Sequence, residues 1–177
     1  MSLKIGIVGF GEFSKSYMDI WLNHPLVEKA VGAEILEERR GEVEREFGIK
    51  MYPDYDTMLE KETDLNCVAI FSQRHQHGPM VIKALNAGKH VFSAVPMGIT
   101  EDEVFEILRL AKDKHLIYMM AETNLESHGS WQKMGAVEPS YNVPGSLPQW
   151  QEAVLDRARS NFETFKNHAS ILFWSLG

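Results

Sequence analysis

Two glycines near the amino terminus, Gly9 and Gly11, are the residues whose spacing first suggests chemistry. They follow a β-branched apolar run and precede a helical pattern that begins at Glu12. Gly9 permits a tight turn, and Gly11 lets the backbone approach a phosphate whose charge the free amides of a helix N-terminus can hold. The pattern is typical of a strand, turn and helix that bind a dinucleotide, with Ser14 in place of the third glycine.

An acidic residue, Glu34, ends the next apolar run about 20 residues after the glycines, the spacing typical of the dinucleotide fingerprint. Its carboxylate can accept hydrogen bonds from the adenosine ribose and would repel a 2′-phosphate, which favours NAD over NADP. Arg39 and Arg40 follow closely and leave NADP open, or they belong to a solvated helix face. A turn that merely needs glycine is the alternative to a nucleotide site, and Glu34 argues against it.

Predicted strands and helices alternate along the first two thirds of the chain, and these elements would position the residues named above. Their apolar runs are continuous rather than alternating, which indicates strands of a parallel sheet covered on both faces. We therefore predict a doubly wound, Rossmann-like α/β domain over residues 1–124. The predicted strands span residues 3–8, 29–33, 66–71, 90–93 and 116–120, and the predicted helices span 12–23, 37–47, 55–61, 79–87 and a segment capped by Thr100 with Glu103.

The amino-acid composition of the sequence changes over residues 125–177. Residues 127–148 are rich in Ser, Gly, Pro and Asn and are interpreted as a linker. A helix is predicted from Pro148, with one apolar stripe that either packs on its own domain or binds a partner. The stripe comprises Trp150, Val154, Leu155, Ala158, Phe162 and Phe165. The apolar tail at 171–174 needs cover, so we expect a homo-oligomer formed through this segment.

Amino-acid composition and net charge argue against several classes of protein function. The formal charge of −7 argues against a broad surface for nucleic acid or anionic membrane, since both require clustered Lys and Arg. The single cysteine, Cys67, lies in an apolar run and is interpreted as a core residue. His, Asp and Glu show no metal-ligand spacing, so no metal is expected. We see neither a signal peptide nor a membrane span, which favours the cytoplasm.

Four segments together resemble the N-terminal domain of the glucose-fructose oxidoreductase and myo-inositol dehydrogenase (Gfo/Idh/MocA) family. They are the strand and glycines at 4–11, the acid-ended strand at Glu34, the segment 71–77 (Phe-Ser-Gln-Arg-His-Gln-His) and the segment 84–92 (Ala-Leu-Asn-Ala-Gly-Lys-His-Val-Phe). The last two are much more specific than a glycine pattern. The resemblance covers about the first 124 residues and implies an NAD-binding domain.

The resemblance also implies which residues contact the cofactor. In that family the loop that begins here at Ser72 lies against the nicotinamide ribose, with a histidine like His77 just beyond it. His75 is a weaker candidate, because imidazoles are common at such positions without a function. The expected cofactor contacts are Gly9, Phe10, Gly11, Glu12, Phe13, Glu34, Ser72, Gln73, His77, Ala94 and Pro96.

Two departures from the family bear on catalysis. The family commonly has Glu-Lys-Pro where this chain has Ala94-Val95-Pro96, and Val95 cannot stabilise an alkoxide or transfer a proton as lysine does. Weak catalytic candidates remain in Glu122 and His77, with Asn124 a further polar residue nearby. Residues 125–177 are also too short for the family's second domain, so a truncated gene, an altered reading frame or a different cap are each open.

These observations support two hypotheses about function. The first is an NAD(P)-binding oxidoreductase-family protein that transfers hydride on a small polar or sugar-like substrate. The second is a truncated or degenerate NAD-binding module without turnover, with a sensor or structural role. An interaction protein that uses the C-terminal helix is a third class, which charge and motifs do not favour.

Overall fold

The computed structural model describes residues 2–120, 148 and 151–165. The chain divides into two units, Met1–Ala121 and Glu122–Gly177. The predicted domain boundary near Asn124 stays a prediction. Glu122 and Asn124, the tail at 171–174 and all of the linker except Pro148 lie outside the described residues.

The first unit is a six-stranded parallel sheet with helices between its strands. The strand order is β3-β2-β1-β4-β5-β6, so the chain winds outward from β1 in both directions, and the predicted doubly wound fold is confirmed. The elements are β1 Leu3–Val8, α1 Glu12–Asn23, β2 Val27–Ala33, α2 Glu37–Phe47, β3 Lys50–Tyr52, α3 Tyr55–Lys61, β4 Cys67–Ile70, α4 Arg74–Asn86, β5 His90–Ser93, α5 Glu101–Asp113 and β6 Tyr118–Met120.

Two apolar cores cover the two faces of the sheet. Successive residues of β1 and β4 enter different cores, because side chains alternate across a strand. Ile7 and Ala69 lie in the core with α1 and α2, whereas Val8 and Ile70 lie in the core with α3, α4 and α5. Both faces of the central strands are therefore buried, which explains their continuous apolar sequence.

Two predicted helix ends are confirmed by their backbone geometry. Gly48 ends α2 in the left-handed region with φ 65°, and its N–H donates to the Glu44 carbonyl. Thr100 caps α5 by accepting the Glu103 N–H, while the Glu103 carboxylate accepts the Thr100 N–H. Local chemistry therefore determines where these two helices end.

Several element bounds differ from the predicted ones, and two of the differences have physical causes. The short edge strand β3 was not predicted, because three residues carry too little pattern to distinguish a strand from a loop. Helix α4 begins at Arg74, five residues before the predicted start at Pro79. Proline favours the first position of a helix, which is why the pattern placed the start there, but Pro79 lies inside α4 as its sixth residue. Strand β6 begins at Tyr118, two residues later than predicted, and β2 begins at Val27, two residues earlier than predicted.

The second unit contains one described helix, α6, over Gln151–Phe165. Leu155 and Phe162 of the predicted apolar stripe are about half exposed. Pro148 is helical, but a continuous helix from that residue is not described. Self-association through this unit stays a prediction. Within the described part of the chain, no helix is both long and apolar enough to cross a membrane.

Candidate cofactor site

Gly9 forms a turn that only glycine can make without strain. Its φ is +84°, and a Cβ at this position would lie 2.8 Å from the carbonyl oxygen of Phe71 and 3.0 Å from the amide nitrogen of Ser72. The Gly9 N–H donates to the Ala33 carbonyl at 3.1 Å. The turn is therefore tied to β2 and packed closely against the loop that follows β4, as a tight strand-to-helix connection requires.

Gly11 differs from Gly9, because nothing in the described part of the chain requires a glycine there. It is the N-cap of α1 in extended backbone, with φ −81° and ψ 178°, a conformation open to any residue. A Cβ on Gly11 would meet no heavy atom of the described residues within 4 Å. Its N-cap residue has no side chain that could accept the amides of the first turn. The first turn of α1 thus presents donors beside open space, which is how a helix N-terminus holds an anion.

The other residues of this turn contribute through packing and backbone rather than exposed side chains. Phe10 is buried in the core, and its ring lies where a Cβ on Gly32 would be. Ser14 is also buried, and its hydroxyl donates to the Gly11 carbonyl at 2.8 Å, so a small side chain does occupy the third fingerprint position. Phe13 is half exposed, and the Glu12 side chain is almost fully exposed.

Glu34 is a buried carboxylate at the end of β2, directly beside the glycine turn. Its two oxygens accept the N–H groups of Phe10 at 3.1 Å and of Leu36 at 3.0 Å. The carboxylate therefore links β2 to the turn after β1. Since each carboxylate oxygen can accept more than one hydrogen bond, both oxygens retain capacity for a further donor.

Both arginines that follow Glu34 point back toward it. Arg39 lies 3.7 Å from the carboxylate, and Arg40 donates to the Glu34 carbonyl at 2.9 Å. A surface depression of about 400 Å³ adjoins these residues. It is lined by Leu36, Glu37, Glu38, Arg39 and Glu42. Three carboxylates in this lining, against one guanidinium, make the depression unfavourable for a phosphate dianion.

The loops after β4 and β5 meet at His77. This buried imidazole has Nδ1 2.8 Å from the Pro96 carbonyl and Nε2 2.9 Å from the Ser72 carbonyl. Neither ring nitrogen is open to a ligand in this arrangement. The Ser72 hydroxyl is enclosed and has no hydrogen-bond partner among the described residues. Its neighbour Gln73 is exposed at the N-cap of α4.

The loop after β5 begins with Ala94, Val95 and Pro96, none of which carries a charge. Ala94 is buried, and its N–H donates to the Ile70 carbonyl at 3.0 Å. Val95 and Pro96, joined by a cis peptide bond, are partly exposed. His75 is exposed on α4. The structure thus brings the glycine turn, Glu34 and Ser72 to the carboxyl edge of the sheet, where open α/β sheets bind ligands.

The comparison with known proteins agrees with this geometry. Residues 3–122 match the model of the oxidoreductase family with an NAD-binding Rossmann fold. The chain belongs to this family. Among solved structures it is similar to a scyllo-inositol dehydrogenase from Lactobacillus casei, with 25% identity and a TM-score of 0.61 over 68% of this chain and 36% of that one. An NAD-binding protein from Listeria innocua shares 27% identity, with a TM-score of 0.61 over 68% of this chain and 35% of that one.

The C-terminal part has a different similarity. Residues 103–177 match the model of the TIM barrel domain of glycosyl hydrolases family 2. A β-galactosidase large subunit from Latilactobacillus sakei is 82% identical over 65 residues, which are 37% of this chain and 10% of that protein. The chain therefore spans about a tenth of the length of the curated relatives it matches. The sequence after Asn124, which did not resemble the oxidoreductase continuation, is similar to part of another family.

Sequence reasoning missed two features of the site. The acidic lining contributed by Glu37, Glu38 and Glu42 resembled an ordinary solvated helix face, although its position directly after Glu34 was a usable signal. The two carbonyl contacts of His77 carried no local signal, because they join loops 19 and 5 residues away in sequence. No cluster of metal ligands is found in the described part of the chain.

Proposed function

We propose that this NAD-binding oxidoreductase-family domain holds NAD across the carboxyl edge of its sheet. The pyrophosphate lies on the first turn of α1 beside Gly11, the adenosine ribose lies at Glu34, and the nicotinamide end lies over the loops after β4 and β5. Ser72, Gln73, Ala94 and Pro96 belong to these two loops. The observation that carries the proposal is the open space at Gly11, where neither backbone conformation nor packing among residues 2–120 requires a glycine.

The choice of NAD over NADP rests on charge. A 2′-phosphate on the adenosine ribose would lie beside Glu34 and the acidic depression that follows it. The Arg39 guanidinium already faces the Glu34 carboxylate, and Arg40 is held by the Glu34 carbonyl. Neither arginine is directed away from Glu34 to receive a phosphate. We therefore propose NAD as the cofactor that this site prefers.

We further propose that the domain binds NAD without turning over a substrate. Val95 occupies the position of the family lysine and can neither donate nor accept a proton. His77, the nearest imidazole, has both ring nitrogens against carbonyl oxygens. Within residues 2–120, the loops after β4 and β5 then supply no free group for acid–base work. A sensor or structural role for the bound cofactor follows from this arrangement.

Hydride transfer on a small polyol or sugar-like substrate is the second candidate. The similarity to a solved scyllo-inositol dehydrogenase favours it. It requires a proton-transfer group from a part of the chain outside the described residues, of which Glu122 is the first candidate. The similarity to β-galactosidase covers a tenth of that protein and carries no proposal of hydrolysis.

The experiment that tests both candidates combines binding with turnover. The purified chain is titrated with NAD and, separately, with NADP by calorimetry, and it is then assayed with a panel of polyols, aldoses and hydroxy acids by nicotinamide absorbance. Saturable NAD binding with no absorbance change supports the module without turnover. Oxidation of any substrate in the panel supports the dehydrogenase, and absence of binding to either dinucleotide contradicts both.

A further inference from the structure

Phe13 holds an aromatic ring at the first turn of α1, with much of the ring open to solvent. The residue is 53% exposed. Its ring makes two edge-to-face contacts, with centroid distances of 5.3 Å to Tyr17 and 6.0 Å to Phe71. Packing therefore sets the position of the ring, although about half of the residue gains nothing from burial.

The Phe13 ring lies beside both the glycine turn and the loop after β4. Phe13 follows Gly11 by two residues, in the first turn of α1. Its contact Phe71 is the last residue before Ser72, and the Phe71 carbonyl oxygen is the atom that a Cβ on Gly9 would meet at 2.8 Å. The ring thus lies between the proposed position of the pyrophosphate and the loop proposed for the nicotinamide end.

Further exposed apolar side chains lie at the same edge of the sheet. Ile35 and Leu36 directly follow Glu34, and Ile99 belongs to the loop after β5; each of the three apolar residues is at least half exposed. One exposed apolar side chain is ordinary on a protein surface, whereas a group of them at one edge is typical of a ligand-binding surface. A dinucleotide, with a flat ring at each end and charge in the middle, matches this arrangement.

The charges near the proposed nicotinamide position are few and screened. Residues 71–73 and 94–100, which form the loops after β4 and β5, contain no charged side chain. Arg74 of α4 and Glu12 of α1 are exposed, so water and salt screen both charges. The exposed N-terminal end of α4 disfavours a cation only weakly, and the pyrophosphate offsets that of α1. The aromatic ring is therefore the feature that distinguishes a charged from a neutral nicotinamide.

We propose that the nicotinamide ring stacks on Phe13 and that this contact makes the site prefer the oxidised form of the cofactor. The proposal rests on the proposed NAD site and adds the redox state that the site selects. The nicotinamide ring of NAD⁺ is a pyridinium cation, whereas that of NADH is neutral. The face of a phenylalanine ring carries negative potential, so it attracts the cation more strongly than the neutral ring.

This preference gives the module without turnover a specific role. Its occupancy follows the amount of oxidised cofactor rather than the total amount of both forms. A cation–π contact at an exposed site corresponds to a dissociation constant about two- to fivefold lower for NAD⁺ than for NADH. Phe13 contributes this difference by binding alone, because it transfers neither a proton nor an electron.

Calorimetry of the full chain with NAD⁺ and with ADP-ribose separates the aromatic contact from the rest of the site. ADP-ribose is NAD without its nicotinamide ring. In Phe13→Ala the dissociation constant for NAD⁺ should rise about tenfold, while that for ADP-ribose should stay at the wild-type value. Equal losses for the two ligands would overturn the proposal, because Phe13 would then support the turn rather than the nicotinamide ring.

Phe13→Leu tests the redox preference with a side chain that retains apolar bulk. Wild type should bind NAD⁺ about two- to fivefold more tightly than NADH, and Phe13→Leu should bind both forms equally. Phe105→Leu, a change in an exposed phenylalanine of α5, should keep the wild-type ratio. Equal binding of both forms by wild type, or an unchanged ratio in Phe13→Leu, overturns the preference. A wild type that binds neither NAD⁺ nor ADP-ribose contradicts the NAD site itself, and this proposal with it.

Discussion

At the residue scale, the two glycines of the first turn do different work. Gly9 is required by the fold, because its φ is positive and backbone atoms of Phe71 occupy the position of a side chain. Gly11 is required neither by its backbone conformation nor by contacts with the described residues. The sequence predicted both as one motif, and the structure separates a glycine needed for folding from one available to a ligand.

Replacing Gly9 should therefore destabilise the protein. In Gly9→Ala the new methyl group lies 2.8 Å from the Phe71 oxygen, at a φ that L-residues rarely adopt. We expect a loss of about 2–3 kcal/mol in the free energy of unfolding, measured by urea denaturation. Gly11→Ala is the matched control, and its stability should change by less than about 1 kcal/mol. Equal stability of Gly9→Ala and wild type would contradict the strained turn.

Glu34 should control the choice between the two dinucleotides. Glu34→Gln removes the negative charge beside the proposed ribose position and replaces one acceptor oxygen with a donor. We expect NAD to bind about tenfold more weakly and the preference for NAD over NADP to shrink, as measured by paired titrations. Glu37→Gln neutralises a lining carboxylate and should leave NAD affinity unchanged. An unaltered NAD-to-NADP ratio in Glu34→Gln would argue against a ribose at this position.

At the element scale, a cluster of charges holds the edge of the sheet. The buried Glu62 follows α3 and bonds Lys29 of β2 at 2.5 Å, Lys50 of β3 at 3.1 Å and the hydroxyl of Tyr52. Hydrogen bonds from Lys29 and Tyr52 lower the pKa of Glu62 to about 2. The cluster thus secures β3, the short strand that the sequence pattern did not reveal.

Acid should weaken this cluster in a defined pH window. Because the folded-state pKa of Glu62 lies below its ordinary value of 4.5, the stabilisation is present above pH 4.5 and is lost as pH falls toward 2. Glu62→Gln should cost about 2–3 kcal/mol at pH 7 and flatten the acid dependence of the urea midpoint. Glu60→Gln, an exposed carboxylate on α3, should behave as wild type. The same acid slope in Glu62→Gln and wild type would refute this assignment.

The N-terminal cap of α5 allows a further prediction, with a smaller expected change in the free energy of unfolding. Thr100→Ala removes the acceptor for the Glu103 N–H, so we expect a loss of about 1 kcal/mol in the free energy of unfolding. Thr100→Ser keeps the hydroxyl and should lose much less. A thermal midpoint of Thr100→Ala equal to that of wild type would show that the cap does not contribute.

The predicted bounds of helices and strands were accurate where residues close in sequence determine them. The bounds of α1, α2, α3 and β5 agree with the pattern of apolar residues and caps. The start of α4 was missed because Pro79, a residue type that favours the first helical position, lies inside this helix. The glycine turn and Glu34 were predictable from spacing, whereas the directions of Arg39 and Arg40 depend on the folded surroundings of Glu34.

At the scale of the whole molecule, the chain combines similarity to two families. The two matches overlap at residues 103–122, a stretch that contains most of α5 and all of β6. A helix followed by a parallel strand is the repeating unit of both a doubly wound sheet and a TIM barrel. The same local pattern of helix and strand therefore fits both family models. Strand β6, the last strand of the sheet, lies within the segment that is similar to both families.

The measurement that tests the NAD site most directly is a calorimetric comparison of NAD binding by wild type and Gly11→Ala. The account predicts free energies of unfolding within about 1 kcal/mol of each other and a dissociation constant roughly tenfold to a hundredfold higher in the variant, because the methyl group enters the space left for the pyrophosphate. Gly41→Ala, which adds a methyl group on α2, should bind as wild type. Equal NAD affinity in wild type and Gly11→Ala would contradict a pyrophosphate at this turn.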